Sequence, residues 1–504
     1  MGKLKQDLFQ LIKSLDKSEK RYFKRQALLH SESSNSSNNY IRLFDVLDKM
    51  DEYDEVAIKK QFEGEKFIKQ LHVTKNYLYD SILKSLRSYA AYSTNNMQIL
   101  SGIQNAEILI RKGHYEKALE FIHSTKLLAR KTEFWGYYNE LIELERVTHN
   151  IYRKPDTFKQ IADINQKKVE LIGFLKNESD YINLSYEIAT IVINRGRMMS
   201  PAEMKKIKTI NKSAILLDKN QAKTTFSKEL YDSLKTAYLH LTNQFEKSLS
   251  ETSSSIEYLK QRPFEIQKNP TGFLNKIFTH ANALYILNRH DEANKFLNEL
   301  TTFEKLYGIK LNPKLNGLIL ERSTQLKISY FSDTSQASAG FEYLKSVARD
   351  IEKNKVNISD DSMNAFYFTA AKFYMESKHY KEAVKCINQI LVFNKSKFRQ
   401  DETMMAKYLL LIVQFELGNK SMMQTVNNMF EAHELIEPLN FLRTMLPAVK
   451  DRATEKKGFQ EFKKLLMLSK NKKVLDFYFN FNSWTENKIR NKSLTKLHAK
   501  TAEN

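Results

Sequence analysis

The segment FTAAKFYMESKHYKEAVKCI, residues 368–387, decides the fold of this 504-residue chain. Small and apolar residues recur in it at helical spacing on both sides of a short polar turn. Ala383, Ile387 and Ile390 follow one another at intervals of four and three residues, which is the spacing of a buried helical stripe. Ala371 and Ala383 are small enough to let two helix backbones approach closely. The segment therefore predicts two antiparallel helices joined by a tight turn.

Two other segments have the same order of residues: a small residue, an apolar residue three positions on, a polar turn, then Ala with an apolar residue four positions beyond it. They are IQNAEILIRKGHYEKALEFI at 103–122 and FTHANALYILNRHDEANKFL at 278–297. Gly113 lies in the first of these turns, where a positive φ is often needed. In the segment at 368–387, Lys378 occupies that turn position.

Together the three segments resemble the tetratricopeptide repeat, whose unit is two antiparallel helices in about 34 residues. The Trp and Pro of that motif are missing, and the turns are not separated by multiples of about 34 residues. We therefore expect an all-α fold, an irregular α-solenoid of antiparallel helix pairs. The composition agrees, because 13 Gly and 7 Pro are too few turn-forming residues for a sandwich or propeller of many strands.

Local signals predict several helix ends. Asp16 and Ser200 are each followed three residues later by Glu, a pattern that predicts a helix beginning immediately after the capping residue. Ser-rich stretches at 31–39, 251–255 and 332–340 predict surface loops between helices. The acidic run at 51–55 lacks the spaced ligands of a calcium loop and is typical of a helix start.

The sequence predicts three regions. Residues 1–95 form an N-terminal helical region with the Ser/Asn-rich loop at 31–39, residues 96–448 form the tetratricopeptide-repeat-like array, and residues 449–504 form C-terminal capping helices and a basic tail. We expect a cap because a stack of helix pairs exposes an apolar end that must be covered. The last region has the aromatic side chains for that cover: Phe477, Tyr478, Phe479, Phe481 and Trp484.

The net charge of +21, from 80 Lys and Arg against 59 Asp and Glu, favours an anionic partner such as nucleic acid. The excess is mostly Lys, in a chain rich in Asn and Ile, and a composition of this kind is also typical of proteins from AT-rich genomes. A nucleic-acid-binding or transcription-regulatory protein, using residues 60–90 or the basic C-terminus, is therefore the alternative function.

Residues 67–86 make the region 60–90 a candidate. Leu71 and Val73 resemble the buried turn of a helix-turn-helix, with a recognition helix beginning at Thr74. The pattern favours a different interpretation, one continuous amphipathic helix. In that helix the inward residues are Leu71, Leu78, Ile82 and Leu86, and the solvated ones are Lys75, Lys84 and Arg87.

The sequence has no motif for catalysis or cofactor binding. It has no glycine-rich phosphate-binding motif, and His379 with the single cysteine, Cys386, is not enough for a zinc site. We therefore expect no cofactor, no metal and no enzymatic activity. No stretch is long and apolar enough to predict a membrane span, and the N-terminal residues lack the pattern of a secretory signal. A cytoplasmic location is the expectation.

The tetratricopeptide resemblance also implies a partner site, because that family lines its groove from the first helix of each repeat. Carried over position by position, the implied groove residues are Ile103, Glu107, Ile110, Phe278, Asn282, Tyr285, Phe368, Lys372 and Met375. Ile103, Phe278 and Phe368 occupy the position at which some family members use Lys to clamp a C-terminal carboxylate. We therefore expect a protein-interaction scaffold that binds an internal or helical segment of a protein or peptide partner. Neither the partner nor the oligomeric state follows from the sequence.

Overall fold

The computed structural model describes residues 3–29, 36–90, 94–196, 198–334, 336–354, 357–393, 400–430, 437–469 and 472–490. Every regular element within these residues is helical, which confirms the expected all-α class. The chain divides into two compact units, Met1–Lys176 and Asn177–Asn504. This division falls inside the region expected to form one array of helix pairs.

Unit 1 contains two apolar cores. Its helices are α1 (Lys3–Ser14), α2 (Lys17–Leu29), α3 (Ser36–Lys49), α4 (Glu55–Gln61), α5 (Leu71–Ala90), α6 (Asn95–Arg111), α7 (Tyr115–Lys131), α8 (Trp135–Ile151) and the first half of α9 (Thr157–Arg195), with a 3₁₀ turn at Lys66–Gln70. Helices α1 to α5 enclose one core around Ile12, Phe44 and Ile82. Helices α6 to α9 enclose the other around Ile122 and Leu141.

Local capping accounts for the helix starts of unit 1. Asp16 Oδ1 accepts hydrogen bonds from the N–H groups of Ser18 and Glu19, and Glu19 accepts one from the N–H of Asp16, as the sequence predicts. Asp54 caps α4 in the same way, which agrees with a structural role for the acidic run. Ser36–Lys49 is helical, so α3 begins inside the stretch expected to be a loop at 31–39; residues 31–35 lie outside the described residues.

Helix α5 is unbroken from Leu71 to Ala90, so no turn lies at Leu71 to Val73, and Val73 is 60% exposed rather than buried in a turn. One expectation for this helix is wrong: Lys75 is buried, at 6% exposure, instead of solvated. Its Nζ lies 3.0 Å from Glu55 Oε2 and donates a 2.5 Å hydrogen bond to the Tyr53 hydroxyl. Lys75 is buried because α5 packs beside the acidic first turn of α4, which neutralises its charge.

A second buried charge cluster lies between α7 and α8. Glu145 is 3% exposed, and its carboxylate pairs with Lys126 and accepts from His123 Nε2 at 2.8 Å. Burial alone would raise the pKa of Glu145, but the hydrogen bonds from His123 and Lys126 outweigh it and lower the pKa to about 2. Burial lowers the pKa of Lys126. Glu145 is therefore ionised, and removing Lys126 alone would leave a buried charge that has lost part of its compensation.

Unit 2 is a succession of helix pairs. Its helices after the second half of α9 are α10 (Pro201–Asn211), α11 (Ala214–Leu217), α12 (Thr225–Leu241), α13 (Phe245–Lys260), α14 (Pro263–Lys268), α15 (Pro270–Ile286), α16 (His290–Leu300), α17 (Phe303–Tyr307), α18 (Pro313–Asp333), α19 (Ala337–Asn354), α20 (Asp360–Glu376), α21 (Tyr380–Phe393), α22 (Gln400–Glu416), α23 (Lys420–Asn427), α24 (Glu437–Ala448), α25 (Arg452–Leu468), α26 (Lys472–Tyr478) and α27 (Phe481–Arg490), with a 3₁₀ turn at Lys219–Gln221. Helix α10 begins with the expected capping box of Ser200 and Glu203. The pairs α12–α13, α15–α16, α18–α19, α20–α21 and α22–α23 pack together, and α15, α18, α20 and α22 also pack in succession.

One kind of turn recurs within these pairs. A residue at positive φ follows the first helix, and the next residue's N–H donates to a carbonyl five positions back. In unit 2 the positive-φ residues of turns of this kind are Asn243, Asn288, Lys378 and Gly418, and in unit 1 Gly113 has the positive φ that the sequence predicts. The spacings of the four in unit 2 are 45, 90 and 40 residues, so the period is longer than that of the resembled family.

The Ser-rich stretch at 251–255 is not a loop, which corrects the prediction from sequence. It lies in the middle of α13. Thr252 donates to the Ser248 carbonyl at 2.8 Å, and Ser255 donates to Asp232 Oδ2 at 3.0 Å. Packing of α13 against α12 and α15 thus outweighs the weak helix propensity of Ser. The stretch at 332–340 does contain a connection, between the end of α18 at Asp333 and the start of α19 at Ala337.

The C-terminal helices share an apolar core with α22. Tyr478, Phe479 and Phe481 are all at most 5% exposed in that core. Trp484 Nε1 donates to Glu416 Oε1 at 2.8 Å, and Lys488 Nζ lies 2.7 Å from Glu416 Oε2. These aromatic side chains contribute to the core of unit 2 and are not exposed for stacking on nucleic-acid bases.

Candidate partner-binding cleft

A cleft of about 890 Å³ lies within unit 2, with walls formed mainly by α15, α18 and α20. Each of these is the first helix of a pair. Other lining residues come from the end of α9, from α12, from the start of α22 and from α26. The volume is within the usual range for ligand-binding clefts.

The three helices present equivalent faces to the cleft. Along each helix, lining residues recur every three or four positions, as on a single helical face. The C-cap residues of the three helices are Leu287, Thr334 and Ser377. Residues at equal distances before these C-caps line the cleft. Five positions before the C-cap are Asn282, Ser329 and Lys372, and twelve positions before it are Asn275, Arg322 and Ala365.

Five of the nine groove residues expected from the sequence line this cleft: Phe278, Asn282, Tyr285, Phe368 and Lys372. Met375 is instead buried in the apolar core of unit 2, at 5% exposure. The remaining three lie on α6 in unit 1, where Ile103 and Ile110 pack on the local core and Glu107 lies 3.9 Å from Arg111. The cleft therefore combines the expected residues of α15 and α20.

Aromatic rings form the floor of the cleft. Phe278, Tyr285 and Phe368 are all at most 7% exposed, so most of their surface holds the helices together. The ring of Phe368 meets the ring of Tyr478 edge to face, with centroids 5.9 Å apart. The Tyr285 hydroxyl donates to Asn294 Oδ1 of α16 at 2.8 Å. The floor is therefore held in place by core packing, and an occupant first contacts the polar rim.

The rim carries amides, hydroxyls and two cations. Lys372 is half-buried and forms no ion pair with another described residue. Arg322 Nε lies 3.3 Å from Glu321 Oε2. The Glu321 side chain is fully buried, whereas that of Arg322 is 41% exposed. Gln325 and Asn282 add donors and acceptors of the kind that pair with peptide groups. Glu402 is the acidic side chain among the lining residues.

The residues of α18 are the part of the cleft that the sequence analysis missed. Residues 313–333 do not match the repeat pattern, so Arg322, Gln325 and Ser329 were not nominated. The spacing of the turns does indicate this helix. The turn residues Asn288 and Lys378 are 90 residues apart, and α18 ends midway between them. A period of about 45 residues, and not one of 34, therefore matches the positions of these three helices.

The described residues outside the cleft show no metal site and no membrane-spanning helix. Among the described residues no group of three or more His, Cys, Asp or Glu side chains could hold a metal ion. His379 is exposed in the turn after α20, its ring 3.9 Å from that of Phe341, and burial raises the pKa of the Cys386 thiol to about 12. None of the helices in the described ranges has the length and hydropathy needed to cross a bilayer.

Comparison with known proteins adds no identification. The sequence matches no protein-family model and no curated protein, and the structure matches no solved structure. Inference about function therefore depends on the cleft and on the sequence itself.

Proposed function

We propose that this protein is a non-enzymatic interaction scaffold that binds a segment of a partner protein in the cleft between α15, α18 and α20. In this proposal the helix pairs of unit 2 form an irregular, tetratricopeptide-repeat-like solenoid, and the cleft is part of its concave face. Such arrays bind extended or helical segments along the faces of successive first helices. A reducing compartment such as the cytoplasm suits the lone, partly buried thiol of Cys386.

The observation that supports the proposal is the equivalence of the three faces. Asn282, Ser329 and Lys372 come from three different pairs, yet they line one cleft at the same distance from their C-caps. A core needs apolar residues at such positions, but these are polar. Polar residues at repeated, inward-facing positions around an open cleft are typical of a surface that contacts another molecule.

The test is site-specific photo-crosslinking in lysate of the source organism. A benzophenone amino acid replaces Asn282 in the cleft or, as a matched control, the exposed Lys381 of α21. A defined protein cross-linked from position 282 and not from 381, after nuclease treatment and at high salt, supports the proposal. Equal labelling from both positions, or recovery of nuclease-sensitive material alone, contradicts it.

Nucleic-acid binding by residues 60–90 is the second candidate function. Lys60, Lys66 and Lys69 are exposed around the 3₁₀ turn that precedes α5, and none pairs with an acid among the described residues. Replacing all three with Ala should weaken binding to a random 30-base-pair duplex. The slope of the logarithm of the binding constant against the logarithm of salt concentration should also become less steep by about three, one for each lost phosphate contact. If the unmodified protein does not shift this duplex at about 50 mM salt, this candidate is eliminated.

A further inference from the structure

The cleft has an uneven charge. Two cationic side chains, Arg322 of α18 and Lys372 of α20, line it together with one acidic side chain, that of Glu402. The guanidinium of Arg322 contacts Glu321 through Nε, and its terminal nitrogens form no hydrogen bond with a described residue, so they remain able to bind a carboxylate. Lys372 has no counter-ion among the described residues. The surface is therefore complementary to an anionic occupant.

The two cations occupy different levels of the cleft. Arg322 is twelve residues before its C-cap and Lys372 is five residues before its own. Seven residues of helix correspond to about 10 Å along the axis, and neighbouring helices lie about 8–10 Å apart. The two attachment points are thus diagonal and about 13 Å apart, a distance that three to five residues of extended chain cover at roughly 3.3 Å each.

Two amides lie on the C-cap side of this diagonal. Asn282 of α15 offers a donor and an acceptor to a peptide backbone, and Gln325 of α18, whose Nε2 donates to Glu321, keeps its amide oxygen and a second N–H. Crossing all three helices requires about 16–20 Å, the length of five or six extended residues. At a level between those of the two cations, nine residues before their C-caps, Phe278 of α15 and Phe368 of α20 present their remaining apolar surface.

We propose that the cleft selects an acidic, extended segment of its partner, with two carboxylate side chains three to five residues apart for Arg322 and Lys372 and an apolar side chain between them. This inference depends on the proposed scaffold function and adds the chemistry of the bound segment. Charged rim groups set which partner is accepted, because a like charge placed against either cation is repelled.

The experiment is selection of random dodecapeptides displayed on phage, with the full-length protein as bait. The variant bait carries Arg322→Glu and Lys372→Glu together, and the matched control carries Lys381→Glu on the outer helix α21. We expect Asp or Glu to be enriched at two positions with the unmodified and control baits, and Lys or Arg with the variant. Fluorescence anisotropy with a selected acidic peptide should show affinity reduced on the order of tenfold by each single reversal.

Each failure has a distinct meaning. Peptides that bind, and are lost on Asn282→Arg, but show no acidic preference overturn this inference and leave the scaffold proposal standing. Peptides that are indifferent to Asn282→Arg, or no selected peptides at all, overturn both. Displacement of the acidic peptide by an oligothymidylate would identify the cleft as a nucleic-acid site and also overturn both. Circular dichroism checks each variant, and Arg322→Gln with Lys372→Gln replaces the reversals if either one unfolds.

Discussion

A close approach of α6 and α7 in unit 1 gives the sharpest test of the packing. Gly102 of α6 is buried against Thr125 of α7. A Cβ atom added to Gly102 would lie 2.2 Å from Thr125 Oγ1 and 2.8 Å from its Cγ2. Thr125 is itself 7% exposed, so it has little room to move away. We therefore predict that Gly102→Ala destabilises the protein, although Ala is the better helix former.

The magnitude follows from two opposing effects. Overpacking of a core costs about 1–3 kcal/mol, and an overlap of more than about 1 Å with a confined side chain favours the upper part of that range. Replacing a helical Gly with Ala stabilises the helix by about 0.5–1 kcal/mol. The expected net loss is about 1–2 kcal/mol, which lowers the melting temperature of a unit of this size by roughly 2–8 °C.

The assay is differential scanning calorimetry of the full-length protein, with Gly173→Ala as the matched control. Gly173 is helical, lies in the same unit and would have no atom within 4 Å of an added Cβ. This control should raise the melting temperature, because only the propensity gain applies. Thr125→Ala should recover part of the loss in a double variant, since Oγ1 and Cγ2 are then gone. If Gly102→Ala stabilises as much as Gly173→Ala, the close contact of α6 and α7 is wrong.

Three further predictions concern charge, turn geometry and the C-terminal helices. Because the pKa of Glu145 is lowered from 4.5 to about 2, its carboxylate contributes about 3 kcal/mol above pH 4.5, and this contribution is lost as the pH falls toward 2. Thermal melts of Glu145→Gln should therefore lie well below those of the unmodified protein at pH 7 and converge with them in acid; a constant gap would contradict the assigned pKa. Lys378→Gly should raise the unfolding free energy of unit 2 by about 0.5–1 kcal/mol in denaturant titration, because Lys378 has a φ of 61° that only Gly adopts without strain, whereas an unchanged midpoint would show that the turn is unstrained. Trp484→Phe removes a 2.8 Å hydrogen bond to Glu416 and should cost about 1–2 kcal/mol in the same titration, and no loss would mean that the bond contributes nothing.

The sequence was most informative where the deciding interactions are local. The caps at Asp16 and Ser200 involve residues within three positions of each other, so their helix starts could be predicted and are confirmed. The stretch at 251–255 could not be predicted in the same way. Its hydroxyl groups favour a loop locally, but α12 and α15 bury that face of α13.

The cleft shows the same limit. The faces of α15 and α20 could be nominated because their sequences resemble a repeat, but Met375, which shares the helical face of Lys372, is turned into the core. Arg322 could not be nominated, because nothing in its own segment indicates a repeat. Its place in the cleft depends on the packing of α18 between α15 and α20.

The sequence by itself determined that the chain is helical, where several helices begin and that tight turns join helices into pairs. These properties depend on hydrogen bonds and apolar spacing within one or two helical turns. Only the tertiary structure decided that Lys75 and Glu145 are buried with partners and that Asn282, Arg322 and Lys372 share one cleft. Those outcomes depend on residues that lie 19 to 90 positions apart in the chain, and no local pattern records which of them come together.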